Sequence, residues 1–126
     1  MSTPSSKPGR NRKSRQLQGR AFENLAGQFY TDQGFEILER NWRAGRKEID
    51  LIVRKNTLIV FVEVKSAYSR KFGHPAEKVD ERKIQNLSEV AQQYLITKNI
   101  KGTDLRFDVV TFIDGKLEHF PDAFSI

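Results

Sequence analysis

The run Leu58-Ile59-Val60-Phe61-Val62 is apolar at every position and then gives way to Glu63-Val64-Lys65. A half-buried strand alternates apolar and polar residues. An unbroken apolar run of this length instead predicts a strand covered on both faces, in the middle of a sheet. Successive side chains point to opposite faces, so Glu63 and Lys65, two apart, share one. A carboxylate and an ammonium at the end of such a strand are costly to desolvate unless paired, hydrogen-bonded or metal-bound. Two readings fit: a solvent-facing strand end with an ordinary salt bridge, or a site built for chemistry.

The surrounding chain supplies the rest of an α/β or α+β domain. From Leu17 the spacing of Ala21, Phe22, Leu25, Ala26 and Phe29 predicts an amphipathic helix, closed by Gly34 as a C-cap. Strands are expected over residues 35–42, 49–54 and 57–65, with a loop at Ala44-Gly45-Arg46 and a tight turn at Lys55-Asn56. A polar loop holding Gly73 and Pro75 leads to a second helix over 77–98, striped by Ile84, Leu87, Val90, Ala91, Tyr94 and Leu95. Residues 105–113 read as a strand, and Asp114-Gly115 is a two-residue hairpin signal before a last strand over 116–120. The order α-β-β-β-α-β-β makes a mixed β-sheet flanked by helices.

The short turn after the second strand makes it pair antiparallel with the third. Asp50, within Glu48-Ile49-Asp50, then falls at the same end as Glu63, opposite the turn, and Asp50, Glu63 and Lys65 converge. Two carboxylates suit a hard divalent cation such as Mg²⁺, which polarises a phosphate and acidifies bound water. A nearby ammonium orients that water or stabilises developing negative charge. The chemistry such a set suits is phosphodiester hydrolysis.

Charge is unevenly spread. Six basic residues, Lys7, Arg10, Arg12, Lys13, Arg15 and Arg20, lie in the first twenty positions without an acidic one. Taking these six from the 22 basic residues leaves 16, matched by the 16 acidic ones, so the body is neutral. Residues 1–16, rich in Ser, Pro, Gly, Arg and Lys, read as a disordered basic arm. Phosphate tracking and plain solubility account for it equally well. Cysteine is absent, which excludes disulfides, thiolate metal sites and cysteine nucleophiles. No apolar run is long enough to span a membrane and the start lacks a secretory core, so a cytoplasmic protein of residues 17–126 plus its arm is expected.

Ile49-Asp50 followed by Glu63-Val64-Lys65 resembles the PD-(D/E)XK nuclease signature. A longer ordered set resembles the YraN-type bacterial family, itself similar to archaeal Holliday junction resolvases. It runs through Gly19, Glu23 and Ala26, Gly34-Phe35, Asn41-Trp42-Arg43 and Glu48-Ile49-Asp50-Leu51-Ile52. It continues through Phe61-Val62-Glu63-Val64-Lys65, Phe72-Gly73, Lys83, Arg106-Phe107-Asp108-Val109-Val110 and Ala123-Phe124. The resemblance covers roughly residues 17–124. It implies a restriction-endonuclease-like αβββαβ core, a Mg²⁺- or Mn²⁺-dependent DNA endonuclease activity, and pairing as a homodimer. It also implies that Glu23, at the edge of the first helix's apolar stripe, joins Asp50 and Glu63 as a metal ligand. Three positions depart from the family pattern. Ile49 stands for the Pro of the signature, and Lys47 and Phe22 stand where the family usually has Gly.

Lys83 and Arg106 also match the family and are candidate phosphate contacts, along with Arg10, Arg12, Lys13 and Arg15 of the arm. Lys83 reads equally as a helix-surface charge, and Arg106 as a partner for Asp108. His74 and His119 lack metal-ligand spacing, and Trp42 fits a core aromatic better than a base-stacking one. The expected function is DNA cleavage, on branched or damaged structures. The rival is a non-catalytic nucleic-acid-binding or adaptor protein on the same scaffold, favoured by the neutral body and separate basic arm.

Overall fold

The computed structural model describes residues 12–67 and 81–124. Seven elements follow in the expected order: α1 (Arg12–Asp32), β1 (Glu36–Ala44), β2 (Lys47–Lys55), β3 (Leu58–Ala67), α2 (Glu81–Thr97), β4 (Asp104–Ile113) and β5 (Lys116–Phe120). The strands form one sheet in the order β1-β2-β3-β4-β5. β3 pairs antiparallel with β2 and parallel with β4, while the two outer pairs are antiparallel. This is the mixed-sheet αβββαβ architecture of a restriction-endonuclease-like core, with β3 in the centre as its composition requires.

The two faces of β3 explain why it tolerates no polar residue before position 63. Ile59 and Phe61 pack with Phe107 against Leu87, Val90, Ala91 and Tyr94 of α2. Val60 and Val62 pack with Val110 and Phe112 against Ala26 and Tyr30 of α1. Each helix therefore covers one face. Full burial of each such side chain contributes about 1.5–3 kcal/mol.

Helix α1 departs from expectation at both its start and its stripe. It begins at Arg12, so the last five residues of the expected arm are helical. Arg12-Lys13-Ser14-Arg15-Gln16 holds no Gly or Pro, and Arg, Lys and Gln are strong helix formers. Residues 1–11, the rest of the arm, lie outside the described residues. Leu25, expected in the stripe, is 52% exposed, whereas Tyr30 is wholly buried. The buried stripe is thus Phe22, Ala26, Phe29 and Tyr30, rotated away from Leu25. Glu23, two turns before Tyr30, moves with it toward the sheet.

The ends and turns follow local chemistry. At the α1 terminus Phe35 N–H donates to the Tyr30 carbonyl and Gly34 N–H to that of Thr31, with Gly34 at φ +93°. That is a Schellman cap, reinforced by the Tyr30–Phe35 ring contact. Asp114 and Gly115 both take positive φ in the two-residue turn between Ile113 and Lys116, as a type I′ hairpin demands. The β1–β2 hairpin is tighter than expected: β1 extends to Ala44 and β2 starts at Lys47, leaving Gly45-Arg46 as the turn. The expected loop with Gly73, His74 and Pro75 and the start of the second helix at 77–80 lie outside the described residues. No helix among the described residues is long and apolar enough to cross a membrane.

Candidate metal centre

The β2–β3 ladder runs from Lys55↔Leu58 to Leu51↔Val62 and ends there. One step further, the register puts Asp50 opposite Glu63, where the strands part. The Asp50 side chain fills the gap: its Oδ2 accepts a hydrogen bond from Val64 N–H at 2.8 Å. A backbone donor that a continuing strand would have satisfied is thus used to fix a carboxylate.

Two further carboxylates meet Asp50. Glu48 precedes it by two residues on β2. Glu23 arrives from α1 and hydrogen-bonds Asn41. One carboxylate oxygen from each of Glu23, Glu48 and Asp50 lies within 4.8 Å of the other two, and all three residues are half-buried. Asn41 holds a positive φ of 52° in β1, between the pairs Arg40↔Leu51 and Trp42↔Ile49, beside Asp50.

The electrostatics record the crowding. Burial, then the negative charge of Glu63, pushes the Asp50 carboxyl up to about 7, against the Val64 N–H; Glu23 and Glu48 add to the rise. Burial also raises Glu23, with Glu48 contributing; Asn41, Arg20 and Arg40 oppose it. Glu48 has a surface counter-charge, Arg43, at 2.8 Å.

Glu63 is 8% exposed and sits on the α2 side of β3 with Phe61. Its Oε2 lies 3.0 Å from Lys83 Nζ and 3.8 Å from Lys65 Nζ. Burial alone would lower the Lys83 ammonium, but its hydrogen bond to Glu63 and the charges of Glu63, Asp50 and Glu48 outweigh that and raise it. Asp50, Glu63 and Lys83 line one cleft of about 320 Å³, together with Arg46, Glu48 and Asn86.

The residues singled out from sequence are thus distributed unevenly. Asp50, Glu63 and Lys65 do gather at one end of the β2–β3 hairpin. The tightest carboxylate group among the described residues, however, is Glu23, Glu48 and Asp50 rather than Glu23, Asp50 and Glu63. Glu63 stands apart because two lysines hold its carboxylate. Glu48 could have been read from the sequence as a further candidate, since it lies at i, i+2 from Asp50 on one strand. Lys83, read from the sequence either as a phosphate contact or as a helix-surface charge, lies 3.0 Å from the Glu63 carboxylate.

Arg106 sits elsewhere. It pairs with Val60 across β3–β4, about 10 Å along the strand from Glu63, and faces α1. Its Nε and Nη2 donate to the two oxygens of Asp108 at 2.8 and 2.9 Å, so its fork is already filled by a carboxylate and not directed at a phosphate. Asp108, fully buried, also accepts from Tyr30 Oη at 2.7 Å and Asp122 N–H at 3.0 Å, with His119 Nε2 at 2.8 Å. This network ties α1, β4 and β5 together, and only its Arg106–Asp108 member was anticipated. Arg12, Lys13 and Arg15 fall in the first turns of α1, and Arg10 lies outside the described residues. Trp42 packs edge-on against Tyr94, ring centroids 5.0 Å apart.

A mixed αβββαβ sheet with an acidic group at the parting of its second and third strands defines the class of domain. Within it, the chain belongs to the family described as "Uncharacterised protein family UPF0102", whose model matches residues 22–112. It is 36% identical over 110 residues to a UPF0102 protein of Persephonella marina, spanning 87% of this chain and 95% of that relative. It is 42% identical over 95 residues to a UPF0102 protein of Chloroherpeton thalassium, spanning 75% and 74%. A UPF0102 protein of Alkaliphilus metalliredigens is 41% identical over 98 residues, spanning 78% and 86%. The matched stretch holds Glu23, Glu48, Asp50, Glu63, Lys65 and Lys83.

Proposed function

We propose that the protein is a Mg²⁺- or Mn²⁺-dependent DNA endonuclease acting on branched or damaged DNA. The observation that carries this reading is the meeting of Glu23, Glu48 and Asp50 within 4.8 Å. Three half-buried carboxylates at that distance repel one another, and Glu23 and Glu48 add to the rise that burial and Glu63 chiefly cause in the Asp50 carboxyl. All-oxygen donors of this kind fit a hard divalent cation, which removes the repulsion. Such a cation, when bound, supplies polarisation of a phosphate and acidification of water.

The remaining roles belong to the chain's own side chains. Val64 N–H holds Asp50 in one orientation and favours its charged form. Lys65, partly exposed and 3.8 Å from the Glu63 carboxylate at the same strand end, is the ammonium that this reading assigns to the negative charge building on a phosphate. Cutting both strands of a branched substrate takes two such sites, so a homodimer and a cytoplasmic setting belong to this reading. The test is purified protein on a panel of junction, flap and nicked duplexes. Cleavage is expected with Mg²⁺ or Mn²⁺, absent with EDTA, and lost in Asp50→Asn. Undiminished cutting by Asp50→Asn refutes the assignment.

One observation favours a second reading, a non-catalytic nucleic-acid-binding or adaptor protein. The Glu63 carboxylate already has Lys83 and Lys65 as counter-ions. That reading predicts DNA binding without a metal requirement and no cleavage of any member of the panel.

A further inference from the structure

A second groove opens beside the acidic cleft, between the β1–β2 hairpin and α2. It encloses about 700 Å³, within the range of roughly 300–1,000 Å³ usual for ligand sites. Its hairpin wall carries Arg43, Arg46 and Lys47, and its α2 wall carries Glu89 and Gln93, with Trp42 also lining it. Arg46 and Lys47 line the acidic cleft as well, so the two spaces share a basic rim. We infer that this groove holds the DNA strand that continues from the phosphate in the acidic cleft, with Arg46 contacting its backbone and Trp42 its bases or sugars.

Three observations carry the inference. First, the charges are complementary to a polyanion. Three cations line the groove against one carboxylate, Glu89, in a protein whose residues 21–126 carry 16 basic and 16 acidic groups.

Second, the cations differ in availability. Arg43 is paired with Glu48, and Lys47 with Glu89 across the groove, but Arg46 makes no ion pair among the described residues. It stands at the tip of a two-residue turn, exposed, with its guanidinium uncommitted. A long cation placed on a rigid hairpin and left without a partner suits bidentate phosphate contact.

Third, Trp42 is half-buried, packed at the edge of the core that α2 covers and edge-on to Tyr94, with its remaining surface on the groove. An aromatic fixed beside an unpaired arginine is the combination that single strands use, stacking for the bases and charge for the backbone. Lys47 and Glu89 would part as the strand enters, Lys47 exchanging one carboxylate for a phosphate.

The inference rests on DNA being the ligand, as proposed above, and one experiment separates the two. Trp42 is the sole tryptophan of the chain, so its emission reports on the groove directly. A short labelled oligothymidylate is titrated into the full chain with Ca²⁺ in place of Mg²⁺, following both label anisotropy and tryptophan emission across a salt series. The wild type is expected to bind with a change in Trp42 emission. Arg46→Ala is expected to weaken binding about fivefold and to flatten the salt dependence by about 0.7 of a logarithmic unit per decade, the release of one phosphate contact. Arg46→Lys keeps the charge, and with it the salt dependence, but loses the bidentate fork, so its affinity is expected to fall between wild type and Arg46→Ala. Unchanged binding by Arg46→Ala, or binding that leaves Trp42 emission unmoved, overturns the groove while leaving the acidic site to be judged by cleavage. Absence of oligothymidylate binding by the wild type also overturns the groove, and the nuclease reading is then decided separately by cleavage of the junction, flap and nicked-duplex panel.

Discussion

Asp50 accepts the Val64 N–H at 2.8 Å across the point where β2 and β3 separate. The same contact satisfies an orphaned strand donor and pins a carboxylate between Glu63 on one side and Glu23 and Glu48 on the other. Fold and site are therefore coupled through one side chain. The sheet ends where the acid begins.

Metal affinity should follow the proton on Asp50. Burial and its acidic neighbours push this group up to about 7, so below that pH a proton competes with the cation. Mn²⁺ affinity is expected to fall about tenfold per pH unit from 7 downward and to level off above it. Calorimetric titrations at pH 6 and 8 check this; equal affinities contradict it. The folding linkage of the metal-free protein has the opposite sense. A raised folded value gives stability that is fully present below the unfolded value near 3.8 and is lost as pH rises through about 7.

Lys83 should act as a resident counter-ion for Glu63. Replacing it by methionine leaves the Glu63 carboxylate with Lys65 as its remaining lysine partner among the described residues, farther off at 3.8 Å. Lys83→Met is expected to tighten Mn²⁺ binding several-fold at pH 8 and to lower the melting temperature of the metal-free protein. Weaker Mn²⁺ binding would show that Lys83 supports the metal site in another way.

The Asp108 network should carry much of the cohesion between α1 and the β4–β5 hairpin. Burial works to raise the Asp108 carboxyl, but Arg106, His119, Tyr30 and the Asp122 N–H outweigh it and hold it below the usual carboxylate value. Its contribution is present above the unfolded value of 3.8 and lost as pH falls through the lower folded one, so acid unfolding should set in below about pH 4. Asp108→Ala is expected to cost about 3 kcal/mol, since it strands the donors of Tyr30 and Arg106. Tyr30→Phe, losing one bond to a charged acceptor, should cost roughly 1.5–3 kcal/mol. Urea unfolding of both variants measures this, and a loss within error of zero in either removes the network's role.

Thr111 is wholly buried beside Lys65 in the β3–β4 register, and among the described residues its hydroxyl has no hydrogen-bond partner. An unsatisfied buried hydroxyl costs about 1–3 kcal/mol. Thr111→Val, which keeps the shape, should therefore stabilise the fold by roughly 1 kcal/mol. A clear loss of stability on urea unfolding would show that the hydroxyl is satisfied in solution.

Much of the architecture was legible because its signals are local. The β3 run fixed the sheet's centre, Asp114-Gly115 its last hairpin, and Gly34 the end of α1. What escaped reading depends on tertiary geometry. The rotation of the α1 stripe from Leu25 to Tyr30 follows from Tyr30 finding Asp108, far away in sequence, and no helical period encodes that partner. Glu48 stood in plain view beside Asp50, yet its meeting with Glu23 depends on how α1 crosses the sheet. The lysine pairing of Glu63 likewise needs α2 placed over β3. Strand spacing brings Asp50, Glu63 and Lys65 to one end, but it does not say which carboxylate the lysines hold.

The account turns on whether Glu23, Glu48 and Asp50 share a divalent cation. Calorimetric titration of Mn²⁺ into the wild type and Asp50→Asn at pH 8 asks this directly. The expected result is saturable binding by the wild type and, in the variant, a loss of affinity no smaller than the roughly 10–100-fold that removing an outer-shell partner of a metal ligand costs. Equal binding by the two proteins, or none by the wild type, would contradict it.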